Sequence, residues 1–236
     1  MDLIREEPAE AAMSISCNRL PFFPLRTVLF PGMTLPLRIF EPRYVQMVSD
    51  CLEGSPVFGV VLTKEGKEVG GPAVPYPVGT TARIIGVERK GPGNLHITTV
   101  GEERFQLRGL EHDKPYLVGT TEPFPLRDQD APEVGSLLET HVALLSRYLE
   151  LLSQASAVEI RLQRQPETPE AMAHLVAMLL QVPASVKQRL LSISDLPALF
   201  RDEASLLRGE AAGLTIALCG VDIVERGAAE DRFSPN

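Results

Sequence analysis

Two hydrophobic periods divide this chain. From Leu20 to about Phe124 the apolar residues come in short runs or alternate with polar ones, and from Glu133 onward they recur every three or four positions. The first texture is that of strands, the second that of amphipathic helices. "VFGVVLT", Val57 to Thr63, is a β-branched run between Pro56 and the loop "KEGKEVGGPAVPYP", and it predicts a buried strand. Val78 to Lys90 alternates, "GPGN" interrupts, and Leu95, Ile97 and Thr99 alternate again, so Val78 to Val100 is expected to be a hairpin. "RFQLRGLE" and "YLVGTTEPF" read as two more short strands split by the turn "HDKP". One helix is predicted among them, Glu41 to Glu53, with Pro42 in its first turn and Tyr44, Val45, Val48, Cys51 and Leu52 on one stripe.

Four helices follow. Glu133 to Ser156 carries an apolar face of Val134, Leu137, Leu138, His141, Leu144, Leu145, Tyr148 and Leu152. Thr168 caps a second helix with Pro169 at its first position and Met172, Leu175, Val176, Leu179 and Leu180 inward, and Pro183 ends it. Ser185 and Gln188 have the spacing of a capping box for a third. Asp195 caps a fourth, with Leu196, Leu199, Phe200 and Leu207 inward; past Gly209 and Gly213, "LTIALCGVDIV" either continues this helix or docks separately, and continuation is the reading taken. The change of period falls in "EPFPLRDQDAP", Glu122 to Pro132. The expected organisation is therefore α+β: tail 1–18, β unit 19–122, linker 123–132, helical unit 133–225 and tail 226–236.

The stretch "LPFFPLRTVLFPGMTLPLRIFEPRY", Leu20 to Tyr44, holds five prolines, which punctuate short strands rather than permit a helix. It also gathers Phe22, Phe23, Phe30, Met33, Phe40 and Tyr44 in a chain whose aromatic content is 6%. Rigid aromatic rings and adaptable methionines fill cores and also bind apolar peptides. Phe23, Phe30, Met33, Phe40 and Tyr44 are the candidate peptide contacts, presented by a turn at Pro31 and Gly32.

Charge and motifs narrow the function. A net charge of -8 with scattered Lys and Arg lacks the basic stripe of a nucleic-acid binder. Cys17, Cys51 and Cys219 match neither a disulfide framework nor a zinc site, so no metal is expected. Met1 to Ala12 has no apolar signal-peptide core, and no apolar run reaches the roughly 18 residues of a membrane span, so a cytoplasmic protein without membrane contact is expected. P-loop, G-x-S-x-G and H-E-x-x-H patterns are absent, which leaves no expected cofactor or catalytic residue. His96, His112, His141 and His174 share no motif spacing; a hydrolase using His112 and Asp113 is the enzymatic alternative.

Three segments in order, the Leu20 to Tyr44 stretch, "VGTTARIIGVERKGPGNLHITTVGEERFQL" and "LVAMLLQVPASVKQRLLSISDLPALF", resemble the N-terminal domain of Lon proteases over about Arg19 to Leu207. "PLR-x-x-x-FPG" and "IFEPRY" are similar above all to stand-alone members of that family. The resemblance implies a PUA-like, barrel-type β subdomain followed by a helical bundle. It also implies a role: holding substrate polypeptides in protein quality control, with an ATP-dependent protease as a further partner. Because the ATPase and protease engines of Lon would come after the last residue, a stand-alone, non-enzymatic module is expected. RNA binding through a PUA-like fold is a third possibility, and it would demand a basic face and steep salt dependence.

Overall fold

Strand β1, Leu20–Leu25, carries two prolines, and its pairing shows how it tolerates them. It runs antiparallel to β7, Leu117–Pro123, over Leu20 to Phe22 and parallel to β3, Val57–Gly66, over Phe22 to Leu25. Pro21 precedes the β3 ladder and Pro24 follows the β7 ladder, so each needs a partner on one side alone, as a residue without an N–H requires. The coordinates are a computed structural model that describes residues 19–66, 73–91 and 93–230.

From β7 the pairing passes to β6, Asn94–Glu111, then to β5, Val78–Gly91, then to β3 and back to β1, a closed circuit of five strands. Outside the circuit, β2, Thr34–Ile39, lies antiparallel along the first half of β6, and the short β4, Ala73–Pro75, pairs with β3. The expected hairpin is present but longer, because "RFQLRGLE" continues β6 instead of forming a strand of its own. Register shifts in the β5–β6 ladder, between Thr80 and Ala82 among other places, carry the pairing past the irregular Gly101 region. Phe22 and Phe105, ring centroids 5.4 Å apart, form a small core with Leu20, Val57 and Val61. Gly79 has no side chain for want of room: a Cβ there would lie 2.5 Å from the Phe105 ring and 2.4 Å from the Val60 carbonyl oxygen.

Helix α1, Pro42–Glu53, packs Tyr44, Met47, Val48 and Cys51 onto the strands. Leu52, expected on that stripe, is 48% exposed, and Met47 fills the core instead. The remaining helices are α2, Val134–Ser156; α3, Pro169–Leu179; α4, Ala184–Leu191; and α5, Leu196–Glu230. In α2 the buried set includes Leu149 and Leu151, while Leu137, Leu138 and Leu144 pack only partly. Thr168 accepts from the Ala171 N–H at 3.1 Å and Asp195 from the Ala198 N–H at 2.9 Å, so both expected caps form. Ser185 is not a cap: α4 starts one residue earlier, after Pro183, and the buried Gln188 donates to the Val78 carbonyl at 2.9 Å. Helix α5 runs on through Gly209 and Gly213, and residues 226–230, expected in a tail, belong to it. The expected tail 1–18 with Cys17, and residues 231–236, lie outside the described residues.

Helices and strands share one core. Val28, Phe30, Leu62 and Val78 from the strand region pack with Tyr148, Met172, Val176, Leu190 and Phe200. Hydrogen bonds from Arg127 N–H to the Ser194 carbonyl, 2.8 Å, and from Leu196 N–H to the Arg127 carbonyl, 3.0 Å, seal the same junction.

Candidate functional site

The five candidate contact residues end in different surroundings. Phe23, Phe40 and Tyr44 meet at a depression of about 270 Å³ formed by β1, β2 and the start of α1. Phe40 is 56% exposed there, whereas Phe23 and Tyr44 are 7% and 5% exposed. Their rings sit edge to face, centroids 4.3 Å apart, and the Arg43 guanidinium lies 4.6 Å over Tyr44 while pairing with Glu41. Phe30 is 1% exposed, in the core shared by strands and helices. Met33 is half-buried between the two main clusters. Phe23, Phe30 and Tyr44 are thus core side chains in this fold, because both faces of β1 and its following loop are covered; Phe40 offers the largest exposed surface of the five.

A larger concavity lies elsewhere, between the strands and α3. Pro31 and Gly32 form the turn expected of them: Met33 N–H bonds the Phe30 carbonyl at 3.1 Å, and Gly32 has φ of 80°, which suits the third residue of a type II turn. That turn, Phe124 after β7, and Thr168 to Met178 of α3 enclose a cleft of about 630 Å³. Leu175, Met178 and Phe124 supply apolar wall, and Glu102, Glu103 and Glu170 supply acid.

Arg104, in mid-β6, lines the cleft at 4% exposure. Its Nη1 donates to the Leu191 carbonyl at 2.8 Å and the Ile193 carbonyl at 2.6 Å, just past α4, and Phe124 lies 4.9 Å from the guanidinium carbon. Burial lowers the Arg104 pKa to about 10, against the pull of Glu170, which leaves it charged at neutral pH. Its Nε and Nη2 have no hydrogen-bond partner among the described residues. Beside it in the cleft, His174 is 3% exposed, its pKa brought down to about 4 by burial and then by Arg104, and its Nε2 also lacks a partner. A buried neutral imidazole and a buried cation are the chemistry-bearing groups of this cleft.

The other histidines do not assemble a centre. His96 and His112 are exposed, and Asp113 is held by Arg19. His141 contacts Glu203 at 3.1 Å with both side chains fully buried between α2 and α5. Burial raises the Glu203 pKa well above the usual carboxylate range and lowers that of His141 to about 4, so the imidazole stands neutral at pH 7. Among the described residues no cluster of three His, Cys, Asp or Glu could hold a metal ion, and no helix is long and apolar enough to cross a membrane.

Arg104 and His174 had no motif to announce them. Arg104 sits in "EERFQL", where a charged residue on an alternating strand reads as solvent-facing, and His174 sits on an ordinary apolar helix face.

Known proteins resemble this chain over most of its length. The sequence model of the ATP-dependent protease La (LON) substrate-binding domain matches residues 19–208. A Lon protease of Anaeromyxobacter dehalogenans is 31% identical over 182 residues, which are 76% of this chain and 22% of that protein. Lon protease 2 of Myxococcus xanthus is 30% identical over the same shares. This chain therefore spans about a fifth of the length of these relatives, and the match is to the substrate-binding domain, not to an ATPase or protease domain. The crystal structure of a Lon N-terminal domain protein from Xanthomonas campestris superposes with a TM-score of 0.54 at 28% identity, covering 78% of this chain and 95% of that one. The N-terminal domain of the Mycobacterium avium complex Lon protease shares the fold at a TM-score of 0.64 and 17% identity, covering 80% and 98%. On the family match, this chain belongs to the ATP-dependent protease La (LON) substrate-binding domain family.

Proposed function

We propose that this chain is a non-enzymatic polypeptide-binding module that holds unfolded or apolar protein segments in protein quality control, with the cleft between the strands and α3 as its main seat. The cleft itself carries the reading: about 630 Å³ of concave surface where Leu175, Met178 and Phe124 offer apolar contact and buried polar groups offer direction. Phe40 and its depression form a second, smaller contact. The same proposal takes the closed strand circuit as a PUA-like barrel, with 19–122 and 133–225 as its two subdomains. It names an ATP-dependent protease as the partner that would receive held segments.

A hydrolase at His112 and Asp113 has little support, since His112 stands in solvent and Asp113 is engaged by Arg19. To test the main reading, a photo-crosslinking residue replaces Leu175, and in a second variant Phe40, and each protein is exposed to a permanently unfolded, reduced and alkylated polypeptide. Strong crosslinking from position 175 and weaker crosslinking from position 40 is expected. Equal background from both positions, matching an exposed control position such as Gln154, would sink the proposal.

A further inference from the structure

We infer that the Nε–Nη2 edge of Arg104 receives a single carboxylate from the polypeptide held in the cleft. The inference rests on the polypeptide-binding reading and adds the chemical group that is recognised.

The geometry selects this group. A guanidinium is planar, and its Nε–H and one Nη2–H run parallel along one edge, matching the two oxygens of a carboxylate. In Arg104 these two nitrogens are the ones without a partner, while Nη1, outside that edge, is tied to the Leu191 and Ile193 carbonyls. Those two bonds fix the plane of the group, and Phe124 covers one face of it. The plane of the fork is therefore fixed before any ligand arrives, which lowers the ordering cost of binding. Both nitrogens are shielded from solvent, so the cleft wall beside them must give way to admit the carboxylate. A buried cation with unmet donors is costly, and a carboxylate relieves that cost in one step. His174 adds a second orphaned atom, Nε2, in the same cleft, and the capped first turn of α3 brings the positive end of a helix dipole to its wall.

The nearby acids set the limit on what enters. Glu102 is neutralised by Arg83 through bonds of 2.5 and 3.1 Å, and Glu170 accepts from Gln129 at 3.2 Å, so neither occupies the fork. Glu103 and Glu170 nonetheless line the cleft with negative charge. An acidic run is repelled by them, whereas one carboxylate on a neutral or basic stretch meets acid outside and cation inside. The carboxylate could be the C-terminal one or a Glu or Asp side chain.

Three peptides of one apolar sequence, all acetylated at the N-terminus, separate these cases: one with a free C-terminal carboxylate, one amidated, and one amidated with an internal Glu. Calorimetry with the full chain is expected to show at least one carboxylate peptide binding about tenfold or more tightly than the uncharged one. Arg104→Gln should erase that preference and Arg104→Lys, which keeps the charge without the fork, should reduce it. Whichever carboxylate is favoured names the source. Should the glutamine variant fail to fold, the Arg104 Nε–H resonance of the unaltered protein still decides, because it must move with a preferred carboxylate peptide and stay put with the amide. Equal affinity for all three peptides with an unmoved resonance overturns the carboxylate inference and spares polypeptide binding. No binding of any peptide overturns both.

Discussion

The two depressions of this molecule are built in opposite ways. The one around Phe40 draws all its lining from Phe23 to Tyr44, a single stretch of chain, and Glu41 on its rim accepts from Arg43 only two residues on. The cleft collects the turn after β1, the middle of β6, the segment after β7 and α3, and leaves Arg104 and His174 with unmet donors or acceptors. A surface made locally can be finished locally. One made from four distant segments can hold buried polar atoms in place without satisfying them, since the packing of each segment is secured elsewhere. Phe30 illustrates that security: it lies in the core beside the cleft, its ring 6.4 Å from His174.

The contrast can be broken most forcefully at Phe23. If the local depression is mainly core, Phe23→Ala should cost about 3 kcal/mol in urea unfolding, the usual range for emptying a buried aromatic site. A loss under about 1 kcal/mol would mean that its contacts with Tyr44 and Phe58 are expendable. Next in size is an acid test of the buried histidines. His141 and His174 fold with pKa values near 4, against about 6.5 when unfolded, so unfolding takes up protons between those limits. Each contribution is complete above pH 6.5 and is lost as pH falls toward 4, at about 1 kcal/mol per pH unit. Glu203 acts in the opposite sense: its raised pKa gives stability that is present below about 4.5 and lost as pH rises. Equilibrium unfolding at stepped pH should therefore show a shallower dependence for His174→Gln and a steeper one for Glu203→Gln. Parallel curves would place the histidine of the cleft in water. The smallest effect is expected at Phe40→Ala, under about 0.5 kcal/mol in stability because the ring is mostly exposed, with weaker capture of an unfolded polypeptide as the functional readout.

Local grammar was legible in the sequence. Thr168 and Asp195 announce helix starts because a cap needs only a side chain and an N–H three residues on, and "GPGN" announces a hairpin because its first and last residues, Gly91 and Asn94, pair with each other. Ser185 misled for the same reason, since Pro183 opens the helix before the capping box can. The hairpin read as ending at Val100, yet β6 continues through Gly101 to Glu111 along a ladder whose register shifts against β5. The aromatic stretch was correctly read as rich in core material, but its split between Phe40 outside and Phe30 inside is decided by where the helices dock. Arg104 lay wholly beyond reach: its two carbonyl partners are 87 and 89 residues away, and no local pattern encodes them.

Helix α5 outlasts its support. Leu196 to Leu207 carries its buried residues, whereas from Arg208 to Cys219 every side chain is partly or fully exposed. Amide exchange along this one helix should then follow two regimes. Hydrogens in the first part exchange only when the bundle opens, and those from Gly209 to Cys219 are guarded mainly by the helix's own bonds and exchange by local unwinding. A single continuous helix thus contains a stability gradient. Exchange rates read along it would locate, residue by residue, where tertiary packing stops contributing to its persistence.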